Sequence, residues 1–278
     1  MREISANEII TAVERLVLSA CCVLPSGASS LLDDAAARET NPAAKSMLVD
    51  LQANRDLAAA EMLPLCQDTG MAVLFCELGQ ELHITGGAFE DAINEGVRRG
   101  YVDGKMRLSV VRDPIRRGNT NTNTPAVIHT RVVPGDKLAI KLLPKGFGSE
   151  NMSAMRMFNP TASTESIEEF IASVAIDAGA NPCPPVILGV GLGGTVDSAA
   201  VAAKYALGLD GANPDEFYAD MEKRILDRIN SSGVGCMGMG GDVSALAVRI
   251  IPQPTHIAGL PCVVNVCCHC ARHAEVVL

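Results

Sequence analysis

The 278 residues are 48% hydrophobic and 20% charged, which excludes a disordered chain and suffices for one large domain or two ordinary ones. A formal net charge of −9 excludes the basic footprint of a nucleic-acid binder, although a few converging Arg, Lys or backbone N–H groups can still hold an anion. Aromatic residues make up only 3% and Trp is absent, so the core must be aliphatic.

The chain opens with a helical pattern over 6–22, in which Ile9, Val13, Leu16, Val17 and Ala20 recur at helical spacing. Ser5 with Glu8 three residues on is a capping box. The apolar stretch 16–24 could be taken for a signal peptide, but Glu8, Glu14 and Arg15 precede it and the amphipathic helix is the better reading. No apolar run reaches the ~18–20 residues that span a bilayer, so a cytoplasmic protein is expected. Ala-rich helices follow over 30–38 and 43–61, the latter opened by Asn41 as cap and Pro42 at the first helical position.

Residues 71–78 read as a strand and 87–102 as a helix. Strands are expected over 125–133 and 137–143, joined by a turn at Pro134-Gly135-Asp136. A helix over 164–179 ends at a glycine. A buried strand covers 184–190, and a small-residue helix follows its glycines. Asn213, Pro214 and Glu216 predict a capped helix over 213–230, and strand-like runs alternate with Pro-rich turns from 243 onward. The fold class is therefore mixed α/β (α+β). A helical segment, 1–62, is expected to pack on a mixed-sheet body, 63–278, as one chain-long domain that two lobes would also accommodate.

Chemistry concentrates in polar, Gly-rich loops at strand ends: "CQDTG" (66–70), "RRGNTNTNTPA" (116–126), "KGFGSEN" (145–151) and "NPCPPVILGVGLGGT" (181–195). Gly189, Gly191 and Gly194 satisfy the dinucleotide-binding glycine pattern, with Asp210 downstream. Asp210 has no strand before it, however, so the glycines are read instead as allowing the backbone to approach an anion or a cluster. A thiol and an amide in the turn at Cys66-Gln67-Asp68-Thr69 exceed what a turn needs.

Ten cysteines in a reducing compartment argue against a disulfide framework, and most are expected to be small buried hydrophobes. Cys66 and Cys183 instead sit in loops, far apart in sequence, unlike paired zinc ligands and compatible with an iron–sulfur cluster held from three loops. Three cysteines on a four-iron cube leave one iron open as a Lewis acid. A zinc site competes at the C-terminal end, where Cys267, Cys268, His269, Cys270 and His273 crowd into seven residues. Adjacent ligands on a strand point to opposite faces, so not all of them can reach one ion.

"LPLCQDTGMAVLF", "NTNTPAVIH", "PKGFGSENMSAM", "CPPVILGVGLGGT" and "HIAGLP…NVCCHCARH" resemble, in order and spacing, the α-subunit of the class I (iron–sulfur) fumarate hydratase and L(+)-tartrate dehydratase family, from about residue 50 to the end. The resemblance implies a reversible hydro-lyase of a C4 dicarboxylate carrying a 4Fe–4S cluster. Its ligands by motif are Cys66, Cys183 and Cys268, with Cys267 as the neighbouring alternative. Gln67 and Asp68 would hydrogen-bond the substrate, Arg107 would bind a carboxylate, and the backbone at Gly146 would hold the other carboxylate or the cluster edge. His256 matches a histidine near the active site. Cys236 and Asp242 stand where relatives usually carry Pro or Ala and Lys.

No general base is evident, and in this family that group belongs to a C-terminal domain or β-subunit. The expected partners are thus a β-subunit and a C4 dicarboxylate, in an oligomer, with neither nucleic acid nor membrane. Fumarate is favoured over L(+)-tartrate as substrate. The alternative class is a zinc- or Fe–S-binding structural or electron-transfer protein, in which an Asp68→Asn change would have no effect. A non-catalytic paralogue without a β-subunit is a third reading.

Overall fold

A computed structural model describes residues 2–278. The chain begins with β1 (Arg2–Ser5) and three helices, α1 (Ala6–Cys22), α2 (Ser26–Arg38) and α3 (Pro42–Glu61). It continues through β2 (Met71–Gly79), β3 (Leu82–Thr85), α4 (Phe89–Val102), β4 (Val127–Val133), β5 (Leu138–Lys145), the short α5 (Phe147–Glu150) and β6 (Ala154–Phe158). Then come α6 (Thr164–Ala178), β7 (Val186–Gly193), α7 (Val196–Ala206), α8 (Glu216–Asn230), β8 (Ala245–Gln253), β9 (Leu260–Cys267) and β10 (Ala274–Val277). The mixed α/β class is as expected.

Two compact units result. The first takes Met1–Pro25, Arg55–Phe147 and Arg272–Leu278; the second takes Ser26–Asn54 and Gly148–Ala271. The N-terminal helices are therefore divided: α1 belongs to the first unit and α2 to the second, and α3 runs from one into the other.

In the first unit, β1 pairs with β3 in parallel, and a four-stranded sheet has the order β10-β5-β2-β4. Ile9, Val13 and Val17 of α1 and Ile93 and Val97 of α4 pack with Leu74, Leu138, Ile140 and Leu142 of the sheet into a mainly aliphatic core that includes Tyr101. The expected capping box is present, with the Ser5 hydroxyl accepting from Glu8 N–H and the Glu8 carboxylate accepting from Ser5 N–H at 2.9 Å. The α1–α2 stretch is apolar enough in composition to resemble a membrane span. It breaks at Val23–Pro25, and the apolar stripe of α1 is spent on this core. β4 and β5, joined through Pro134-Gly135-Asp136, do not pair with each other. Both flank β2, β4 in parallel and β5 antiparallel.

The second unit is built on a sheet of order β6-β9-β7-β8. Ile167 and Ile171 of α6 and Met221 and Ile225 of α8 pack with Leu188, Val190, Val248 and Val264, while Ala199 and Ala203 of α7 pack with Val263. Asn41 caps α3 as predicted, its Oδ1 accepting from Ala43 and Ala44 N–H. The cap of α8 is not Asn213 but Asp215, which accepts from Phe217 N–H at 3.0 Å. Asn213 is drawn away because its amide donates to Glu222 and to the Ile250 carbonyl.

The glycine pattern of residues 189–194 has a packing purpose, which replaces the anion or cluster approach expected for it. A Cβ on Gly189 would lie 2.1 Å from the Ala203 carbonyl oxygen, and one on Gly191 2.0 Å from that of Ala199. These glycines let α7 lie directly on β7. Gly191→Ala must push helix and strand apart, and we expect a loss of about 3 kcal/mol or more. An unchanged midpoint in urea denaturation would contradict this packing role.

Candidate functional site

The "CQDTG" loop lies in the first unit and is held through the backbone of its last three residues and of the preceding Leu65. Leu65 N–H donates to the Cys21 carbonyl at 2.9 Å. The Asp68 carbonyl accepts from Arg272 Nη2 at 2.8 Å, the Thr69 carbonyl from the Tyr101 hydroxyl at 2.9 Å, and the Gly70 carbonyl from Asn123 Nδ2 at 3.0 Å. The Thr69 hydroxyl donates to the Arg107 carbonyl at 3.0 Å. Three consecutive carbonyls thus each meet a side-chain donor from a different part of the chain. Such a loop presents its remaining groups, Cys66 and Gln67, in a preset orientation.

Asp68 joins two of the sequence-flagged loops. Its Oδ1 accepts from Gly70 N–H at 3.0 Å and its Oδ2 from Phe147 N–H at 2.9 Å. Gly146 sits against it, so that a Cβ there would lie 3.2 Å from Oδ2. Asp68 therefore has a structural task whatever the chemistry of the site, and Asp68→Asn is expected to weaken this clamp. Cys66 is half-buried, with its thiol 3.3 Å from Gln67 Oε1, and Gln67 and Arg107 are exposed. The first unit thus gathers Cys66, Gln67, Asp68, Gly146 and the backbone of Arg107.

Asn123, Tyr101 and Arg272 were not singled out by sequence reasoning. Asn123 is fully buried, and its Oδ1 also accepts from Ser109 and Val110 N–H. Its loop was flagged, yet nothing local distinguishes Asn123 from Asn119 or Asn121. Tyr101, fully buried by an otherwise apolar core, needed a partner for its hydroxyl, and that need was the available signal.

In the second unit, Cys183 precedes β7 and Cys268 follows β9. Those strands run antiparallel with Ile187 opposite Cys267, so the two cysteines lie at the same end of the sheet. His269 Nδ1 lies 3.2 Å from the Cys183 carbonyl oxygen, tying the two segments together. Nearby on β9, Asn265 is buried and donates to Glu150 Oε2 at 3.0 Å and to the Ser153 hydroxyl at 3.1 Å. Glu150 also pairs with Lys204.

His256 is placed differently. It lies in the exposed turn between β8 and β9, with Nδ1 accepting from Ala258 N–H at 3.1 Å and the neighbouring Thr255 hydroxyl donating to the Gly194 carbonyl. The whole of β9, about 25 Å of extended chain, separates that turn from Cys268. His256 and Cys268 therefore lie at opposite ends of β9.

The cysteines sort by exposure. Cys21, Cys22, Cys76, Cys236, Cys262, Cys267 and Cys270 are buried, Cys66 and Cys268 are half-buried, and Cys183 is exposed. Burial pushes the Cys21 thiol up to about 11 and those of Cys76, Cys236 and Cys262 to about 12, keeping them protonated. Asp242 has a local task. It accepts from Thr40 N–H and from the Thr40 hydroxyl, which hold its carboxyl below the usual range.

The chain is similar to several known proteins. The "Putative L(+)-tartrate dehydratase subunit alpha" of Methanocaldococcus jannaschii is 35% identical over 271 residues, covering 95% of this chain and 94% of that protein. The aerobic class I fumarate hydratase of Salmonella typhimurium is 30% identical over 260 residues, 89% of this chain but 44% of that protein, so the chain spans less than half of it. The L(+)-tartrate dehydratase subunit alpha of Escherichia coli is 27% identical over 214 residues, 75% of this chain and 70% of that protein. The family model described as fumarate hydratase (Fumerase) matches residues 10–277, and the chain accordingly belongs to this family of hydro-lyases.

Proposed function

We propose that the chain is the α-subunit of an iron–sulfur hydro-lyase that reversibly hydrates a C4 dicarboxylate, with fumarate and malate as the first candidates. Cys66, Cys183 and Cys268 are assigned as the ligands of a 4Fe–4S cluster with one open iron. One observation carries the assignment: of ten cysteines, the three that the motifs single out are the three that are not buried. Burial holds the Cys21, Cys76, Cys236 and Cys262 thiols protonated, whereas a ligand must be a thiolate. Cys267 is buried at the end of β9, and this favours Cys268 as the third ligand.

When bound, the cluster supplies a Lewis acid for the poor leaving hydroxyl. The chain's own residues bind and orient. Arg107 is exposed beside the "CQDTG" loop, its carbonyl fixed by Thr69, and its guanidinium is suited to bidentate capture of a carboxylate. Gln67, exposed next to Cys66, offers an amide to the substrate hydroxyl. Asp68 fixes the loop that carries both Cys66 and Gln67, and Gly146 keeps the space beside it clear. His256, exposed in the turn between β8 and β9, is assigned the orienting or proton-handling role that the resemblance implies. The base that takes the carbon-bound proton is assigned to a β-subunit, a reading supported by relatives of similar length being named as α-subunits.

L(+)-tartrate is the second candidate substrate, favoured by the 35% identity over nearly the full length of both chains. The test is anaerobic reconstitution with iron and sulfide, then assays of fumarate hydration and L(+)-tartrate dehydration with the co-expressed β-subunit. About four irons per chain are expected, lost in Cys66→Ser, Cys183→Ser and Cys268→Ser. Iron retained in all three variants would overturn the ligand set, and absence of both activities in a fully loaded complex would overturn the hydro-lyase reading.

A further inference from the structure

Beyond β9 the chain bends at His269, so residues 268–270 escape the alternation of a strand. The ligating atoms of Cys268, His269 and Cys270 all lie within 4.8 Å of one another. Three of the five soft ligands in this segment are thus gathered, without Cys267 or His273. Two thiols and an imidazole form a soft donor set, of the kind that selects zinc over calcium or magnesium. Thiolates bound tetrahedrally to zinc at about 2.3 Å stand roughly 3.8 Å from one another, so the gathering needs only a short contraction.

A second observation points the same way. The Cys183 carbonyl 3.2 Å from His269 Nδ1 can only accept, which assigns the ring proton to Nδ1 and leaves the Nε2 lone pair for a ligand. A backbone carbonyl behind the imidazole is the usual outer support of a metal-binding histidine. The hydro-lyase reading gives no role to Cys270 or to the His269 ring.

We propose that Cys268, His269 and Cys270 form a mononuclear site for a zinc-type divalent cation, differing from the cluster in stoichiometry and in two of its three ligands. Because Cys268 is common to both sites, zinc and the cluster exclude each other, and zinc uptake holds the chain in a cluster-free state. The site requires nothing from Cys66.

The test uses the full chain, reduced and stripped with chelator, and titrated anaerobically with Co2+ as the spectroscopic substitute for Zn2+. One equivalent should produce intense tetrahedral d–d bands and a thiolate-to-cobalt charge-transfer band. Cys270→Ser and His269→Gln should each weaken binding by about 100-fold or more, beyond the effect of losing an outer-shell partner. Cys66→Ser should leave the spectrum and affinity unchanged. Preloading with Zn2+ should block later iron incorporation in the parent chain and fail to do so in Cys270→Ser. The proposal is overturned if no stoichiometric cobalt spectrum appears. It is equally overturned if Cys66→Ser abolishes the spectrum while Cys270→Ser retains it, since the ion would then occupy the cluster ligands. Neither result depends on hydro-lyase activity, so the two readings fail separately.

Discussion

Asp68→Asn is expected to lower the stability of the chain by about 2–4 kcal/mol and, in the loaded complex, to reduce turnover by two orders of magnitude or more. Each carboxylate oxygen accepts one backbone N–H, from Gly70 and from Phe147. An asparagine has a single oxygen, so its NH2 must face one of these N–H groups. One charge-assisted bond is lost, a donor is set against a donor, and the other bond loses its charge. The catalytic loss follows from the same geometry, because the loop that Asp68 clamps is the one presenting Cys66 and Gln67. Urea denaturation and steady-state kinetics check the two parts. The expected signature is a fall in kcat with iron content retained. An unchanged denaturation midpoint would remove the clamp from the account, and unchanged kcat would remove its link to the site.

Glu39→Ala should cost about 3–5 kcal/mol, among the largest single effects available in the second unit. Glu39 is only 2% exposed, and its carboxylate accepts from the N–H groups of Asn41, Asp242 and Val243. Truncation leaves those donors without an acceptor at a position that water reaches poorly, and an unmade buried bond costs more than a made one contributes. The 241–243 segment and the turn before α3 should loosen together, which native-state hydrogen exchange at Asp242 and Val243 would register. Glu39→Gln should fall between the two, because one oxygen remains. Wild-type protection at these amides in Glu39→Ala would refute the argument. The same contact explains why an aspartate is accommodated at 242: its side chain is engaged by Thr40, close to Glu39's own partners.

The parts of this protein legible in its sequence are those decided within a few residues. The Ser5–Glu8 capping box and the Asn41 cap join groups two or three positions apart, and α1 shows its buried stripe because helical period alone sets it. Where two local solutions compete, as at Asn213 and Asp215, the outcome depends on Glu222 and Ile250, and the local signal misleads. The glycines of β7 look alike whether they face a phosphate or a helix, and only the packing of α7 distinguishes these uses. The Cys66–Thr69 loop was legible because thiol, amide and carboxylate in a turn exceed what a turn requires, and the proposed ligands Cys183 and Cys268 were legible through the motifs around them. What holds those loops was not. Asp68 is tied to Arg272 across 204 positions and to Phe147 across 79, and the bend that gathers Cys268, His269 and Cys270 begins where β9 ends. The sequence by itself determined the elements and the chemistry placed between them. The tertiary structure decided partners, because hydrogen-bond satisfaction and burial depend on which distant segments meet, and no local pattern encodes that choice.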